Sequence, residues 1–243
     1  MYLLLDNEFA PMTSELGFLQ TDIAVAVQAF EDWQTPLLHK RGGSLARRTV
    51  AGTLQSVLAT LLPLTDIGSR RSLFIPTAGP WIAFLDNGWR GAEVFGRVSY
   101  LAQAIGCRGV RVVAIPDTAI DKSLAPSQRR DGAIIFEVYS SHDTHWLNVE
   151  RSVMAMRDGD RWKFHHSGTA FRFEDQEQYT ARRVQERFTI EMLQKYAAEL
   201  ELYPFDEHFY LPTTRDTAVL FAEVGIVTPN ARYYSQREAS GAV

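Results

Sequence analysis

The 243-residue sequence predicts an α+β fold, a central mixed β-sheet covered by helices, in a single domain spanning residues 1–243. Three observations predict it. Helical periodicity prevails early, strand-like runs fill the middle, and helical signals return from about residue 176. A strand–helix–strand passage between Trp81 and Ile115 favours parallel strands, and hence a mixed sheet. No internal repeat or low-complexity linker divides the chain.

In order, Met1 to Leu5 reads as a short strand. Thr21-Asp22 starts a helix with Ile23, Val27 and Phe30 on one face, and Pro36 followed by Gly42-Gly43 ends that region. Leu45 to Ala51 reads as a strand. Leu54, Val57, Leu58, Leu61 and Leu62 repeat at helical spacing until Pro63 stops them. Ser72 to Pro76 and Trp81 to Leu85 are apolar strands, and Asp86-Asn87-Gly88 is a turn because Asn and Gly tolerate positive φ. Phe95, Val98, Leu101, Ala102 and Ile105 form a helical stripe capped by Gly106, and Val110 to Ile115 is a β-branched strand. Asp117 to Asp131 is a surface loop and Ala133 to Tyr139 a strand. Val149 to Met156 and Arg161 to His165 form a hairpin around Asp158-Gly159-Asp160. A helix is expected over about 176–187, and another capped by Thr189. Ala218 to Val224 is a last short helix or strand, with a frayed tail after about 228.

Composition bounds the function. The net charge is −4, spread evenly along the chain, so neither a basic arm nor an acidic tail marks a nucleic-acid-binding domain. The single cysteine, Cys107, excludes an internal disulfide framework and a multi-cysteine zinc site, and points to a reducing compartment. The start lacks a basic region before its three leucines, and no apolar run approaches the ~20 residues of a membrane span. A cytoplasmic protein without membrane partners is expected.

Motifs with a fixed chemistry are missing: no phosphate loop, no G-x-G-x-x-G, no H-E-x-x-H and no G-x-S-x-G. His142 and His145 stand three apart, but in a loop without a third ligand nearby, and a solvated loop is the simpler reading. His165-His166 ends a hairpin strand, and His208 sits in an acidic turn between aromatic residues. Cys107 follows a helix C-terminus, where the dipole opposes a thiolate, and reads as a small apolar residue. The arginine pairs 47–48, 70–71, 129–130 and 182–183 would bind phosphates if they shared a face; scattered among acids, they read as solvated or internally paired. No catalytic residue, metal ligand or cofactor is assigned. The densest unusual feature is aromatic: Trp81, Phe84, Trp89, Phe95 and Tyr100 surround the Asp86–Gly91 turn. Trp and Arg on such a loop are enriched at protein interfaces, the alternative being a Trp folded over the core. Asp86, Asn87, Trp89 and Arg90, with Arg129 and Arg130, are the candidate interface residues.

The run Trp81-Ile82-Ala83-Phe84-Leu85-Asp86-Asn87-Gly88-Trp89-Arg90-Gly91, with Ser99-Tyr100-Leu101 and Gly106-Cys107-Arg108-Gly109-Val110-Arg111, is similar to runs in bacterial proteins. Asp158-Gly159-Asp160-Arg161-Trp162, Arg187-Phe188-Thr189 and Phe205-Asp206-Glu207-His208-Phe209-Tyr210 share that similarity. Across about residues 24–210 the texture resembles the immunity proteins of polymorphic toxin systems. The resemblance implies a cytosolic protein that binds and neutralises a cognate toxin domain. The alternative is a small-molecule enzyme whose site is assembled from Asp86, His142, His145, His165 or His208.

Overall fold

A computed structural model describes residues 3–89, 94–126, 129–142, 144 and 147–240. Its centre is a nine-stranded sheet in the order β2-β10-β4-β5-β1-β6-β7-β8-β9. The strands are β1 (Glu15–Leu19), β2 (Ser44–Val50), β4 (Arg71–Pro76), β5 (Ile82–Asp86), β6 (Gly109–Ile115), β7 (Ala133–Tyr139), β8 (Val149–Asp158), β9 (Arg161–Gly168) and β10 (Ala218–Val224). A two-stranded ribbon pairs β3 (Leu64–Thr65) with β11 (Tyr233–Tyr234). The helices are α1 (Ile23–Lys40), α2 (Leu54–Leu58), α3 (Val94–Ile105), α4 (Ile190–Ala198) and α5 (Gln236–Ser240).

The α+β class is as expected, but every ladder in the large sheet is antiparallel rather than mixed. The strands flanking α3 do run in the same direction, because β1 lies between β5 and β6 and is antiparallel to both. Local sequence indicated the crossover and was blind to the strand inserted into it.

Both faces of the sheet are covered. On one, Phe18, Leu73, Trp81, Val112, Phe136 and Leu220 pack against the N-terminal segment, α2 and α4. On the other, Phe30 of α1 and Val94, Val98 and Leu101 of α3 pack against Phe74, Phe84 and Phe221. Trp81 and Phe84, of opposite parity, are therefore both buried, and neither faces solvent. The Trp81 indole N–H donates to Leu200 O at 2.8 Å. Close seating of α3 requires Gly17: a Cβ there would lie 2.4 Å from Val98 Cγ2 and 2.6 Å from Val94 Cγ1.

Several local expectations change. Helix α1 continues through Pro36 to Lys40, because Leu38 extends the buried stripe of Ala26, Val27 and Phe30. That packing offsets a proline cost of roughly 3 kcal/mol. Leu4–Asn7 is a short 3-10 turn rather than a strand, with Leu5, Asp6 and Asn7 at positive φ, while Met1 and Tyr2 lie outside the described residues. The helix expected over 176–187 is two 3-10 turns, Gln178–Thr180 and Val184–Glu186. The tail after 228 is docked, not frayed: Tyr233 and Tyr234 pair with β3 and Ala239 is fully buried. Thr189 caps α4 through the Met192 N–H, and Gly106 adopts positive φ after α3, both as read from sequence. Among the described residues, no helix is long and apolar enough to cross a membrane.

Candidate functional site

The Asp86–Trp89 segment is part of the structural frame. Asp86 ends β5 opposite Ser72; its Oδ1 accepts from Gly88 N at 2.8 Å, and its Oδ2 lies 3.8 Å from Arg97 Nη1. Asn87 is buried because its amide stitches three segments together. Its Oδ1 accepts from Arg71 N at 2.8 Å, and its Nδ2 donates to Pro63 O at 3.0 Å and Ser69 O at 3.4 Å. Trp89 stacks on Tyr234 with ring centroids 4.4 Å apart and planes at 17°. Asp86 and Asn87, expected on a projecting turn, are instead buried and satisfy buried polar groups, and Trp89 packs against the C-terminal tail. Arg90 lies outside the described residues. Arg129 Nε donates to Leu124 O at 3.2 Å. Arg130 Nη2 donates to Ala239 O at 3.0 Å, so this pair ties its own loop and the tail in place.

What the frame borders is a groove of about 860 Å³, against 470 Å³ for a cleft beside α4. Helix α1 contributes Trp33, Gln34 and Arg41. The link from β3 to β4 contributes Asp66, Ile67, Gly68 and Arg70. The first turn of α3 contributes Phe95, Gly96 and Arg97, and Glu223 and Thr228 close the far side. The sheet aims two of the guanidiniums. Arg70 donates to Asp66 O at 2.7 Å and Thr65 O at 3.3 Å, while its backbone N–H donates to Glu223 Oε2 at 3.2 Å. Arg97 donates to Ser72 Oγ at 2.7 Å. Arg41, at the exposed end of α1, makes no side-chain hydrogen bond or ion pair among the described residues. Trp33 stacks on the half-exposed Tyr100 at 4.2 Å, and Ile67 is 49% exposed. The lining holds three guanidiniums and two carboxylates, and a third carboxylate, Asp86, lies behind Arg97.

Beneath the start of α3 lies a buried charge cluster. Arg111 Nε donates to Glu15 Oε1 at 2.7 Å and its Nη1 to Glu137 Oε2 at 2.8 Å, with the guanidinium 5.5 Å from the Phe95 ring centroid. Tyr139 Oη and Ser152 Oγ donate to the two Glu137 oxygens at 3.1 and 3.2 Å. Burial pushes the Glu15 carboxyl above its ordinary value despite the pull of Arg111, with Asp86 and Glu137 adding to the rise.

The histidines do not converge. His142, His165 and His208 are exposed on separate elements, and His145 lies outside the described residues. From Asp86 on β5 to His165 on β9 is five strand spacings, on the order of 24 Å. Among the described residues, no group of three or more His, Cys, Asp or Glu is placed to hold a metal ion. Burial raises the Cys107 thiol to about 11, against a weaker opposing effect of backbone hydrogen bonds, which keeps it neutral and unreactive. Comparison with protein-family models, curated proteins and solved structures finds no match to this chain.

Sequence reading missed the groove and the charge cluster. Arg70 had been singled out in a pair, but Trp33, Arg41 and Arg97 meet it only through packing of α1 and α3. The cluster did leave a signal: Arg111 and Glu137 are lone charges inside otherwise apolar strands. A strand buried on both faces has no place for a charge without a partner.

Proposed function

We propose that the protein is a binding protein that seats a segment of a partner protein in the groove between α1, the 66–70 link and α3. The lining carries this reading. Arginine and aromatic side chains supply most of the energy at protein interfaces, and this open groove presents Arg41, Arg70 and Arg97 beside Trp33 and Phe95. A guanidinium offers forked donors to carboxylates and backbone carbonyls, so the groove suits an acidic or carbonyl-rich segment. The partner class follows from the resemblance of residues 24–210 to immunity proteins: a toxin domain that the protein neutralises by binding.

The test is co-expression with each candidate toxin domain encoded by the genes flanking its own, together with calorimetry on the purified pair. The expected result is protection from growth arrest and a stable complex. Arg41→Glu should weaken it by ~30-fold or more, the worth of a hot-spot residue, with an unchanged melting temperature. No complex and no protection would sink the toxin reading. A complex that Arg41→Glu and Trp33→Ala both leave intact would remove the groove.

A further inference from the structure

The arginine pairs at 47–48 and 70–71 meet on the sheet in a way their sequence positions do not suggest. Arg48 of β2 lies opposite Leu220 of β10, and Arg71 of β4 lies opposite Ala222 of the same strand. Positions 46, 48, 71, 220 and 222 share one face, the one that carries Leu73 and Leu220 into the core. Ala46 stands directly opposite Ala222 in the row that holds Arg71, and Arg48 stands one row along opposite Leu220, so two methyl groups form a low floor beside two long cationic side chains. Two strand spacings separate β2 from β4, on the order of 10 Å, which two arginine side chains reach across from opposite sides. The space left between them is a hollow of about 270 Å³ lined by Ala46, Arg47, Arg48, Arg71, Leu220 and Ala222, with no carboxylate in its lining.

The two guanidiniums are differently prepared. Arg71 is anchored from behind, its Nη1 donating to Thr60 O at 3.0 Å and to Leu62 O, while Nε and Nη2 have no partner among the described residues. Arg48 has no side-chain hydrogen bond or ion pair among the described residues, whereas its neighbour Arg47, on the opposite face, is paired with Glu31 at 3.2 Å. Burial, and after it the charge of Arg48, lowers the Arg71 value, so the two cations are close enough to repel. A bound anion relieves that repulsion and occupies the unused donors.

We propose that this hollow is an anion site for the phosphate group of a small phosphomonoester, gripped by Arg48 and Arg71 over the Ala46–Ala222 floor. Guanidinium pairs fit phosphate through parallel N–H donors. The volume falls just below that of ordinary ligand pockets and admits a phosphate with a small organic body. The competing explanation is that Arg48 only protects the outer edge of β2 from pairing with another chain.

The experiment titrates the full chain with inorganic phosphate, glycerol phosphate and a single-stranded oligonucleotide at constant ionic strength, read by calorimetry and melting temperature. Both small phosphates should bind and raise the melting temperature. Arg48→Gln should weaken them by ~10-fold or more, as expected for loss of a charged hydrogen bond, and leave the melting temperature without phosphate unchanged. Arg182→Gln, at an exposed arginine outside the hollow, should bind as the unaltered protein does. The proposal falls if neither phosphate binds, or if Arg48→Gln binds them equally well. It falls also if the oligonucleotide binds and glycerol phosphate does not, which would make the patch a nucleic-acid surface. Binding to a toxin domain is a separate measurement, so failure here leaves the groove reading standing.

Discussion

Two arginines, one on each face of the sheet, Arg151 buried and Arg111 largely so, show what charge balance does inside this fold. Arg151, 1% exposed, meets one carboxylate: its Nε and Nη2 donate to the two Glu174 oxygens at 2.9 and 2.6 Å, and its Nη1 to Ser167 O and Gly168 O at 3.0 Å. Tyr179 completes the pair by donating to Glu174 at 2.8 Å. Arg111, on the other face, serves two carboxylates, Glu15 and Glu137, with Asp86 close enough to act on Glu15. The first site is a closed neutral pair with its donors occupied. The second carries an excess of negative charge, which adds to the rise that burial already gives the Glu15 carboxyl. The lesson is that burial displaces proton equilibria at both sites, Tyr179 at the closed pair and Glu15 at the open one, and that the surplus carboxylates push Glu15 further in the same direction.

The largest expected effect breaks the closed pair. Arg151→Met leaves Glu174 buried without a counter-charge and should cost about 4 kcal/mol in urea unfolding at neutral pH. A loss under ~1 kcal/mol would mean that Tyr179 and the Phe171 N–H, which donates to Glu174 at 2.9 Å, suffice alone.

Arg111→Met should cost about 3 kcal/mol at pH 7, because it strands two carboxylates. The loss should shrink as pH falls, since the raised Glu15 carboxyl takes up its proton at a higher pH than an ordinary carboxyl does. A pH-independent loss would show that Arg111 matters for packing under Phe95 rather than for charge.

Glu15→Gln sharpens the contrast with a smaller effect. The folded value of Glu15 lies above its ordinary 4.5, so the folded protein holds this proton more tightly than the unfolded chain. Stability therefore falls as pH rises from the unfolded to the folded value, and the cost stays constant above it. The Gln variant should sit within ~1 kcal/mol of the parent at pH 7 and show a flatter stability profile in the acid range. An unchanged profile would refute the assignment to Glu15.

The smallest effect concerns a group that burial leaves neutral. Cys107, raised to about 11, should react slowly with a disulfide reagent at pH 8 and quickly once the chain is unfolded. Equal rates in both states would show the thiol to be accessible and ionised.

How much could be read from sequence depends on the range of the interaction. The Thr189 cap, the positive-φ Gly106 and the Val149–Gly168 hairpin, with Gly159 at φ 63°, depend on contacts within a few residues and were legible. The candidate site was not. Asp86, Asn87 and Trp89 were singled out for their residue types, but those types equally describe a buried polar stitch, and burial is decided by what packs over them. The covering element is Tyr234, whose strand pairs with Leu64 across the chain.

The sequence by itself determined the element types of most segments, the α+β class, the even charge distribution, and an inert Cys107 placed just after a helix. Those follow from side-chain periodicity, capping and turn chemistry, which act locally. Only the tertiary structure decided that β1 separates β5 from β6 and that β10 enters between β2 and β4. It also decided that the tail docks through Thr65 Oγ1 to Arg232 O at 2.7 Å and Arg130 to Ala239 O at 3.0 Å. Those contacts join residues 167 and 109 positions apart. At such separations a residue's own propensity carries no information about its partner, so strand order, burial and the arginine groupings emerge only when the sheet closes.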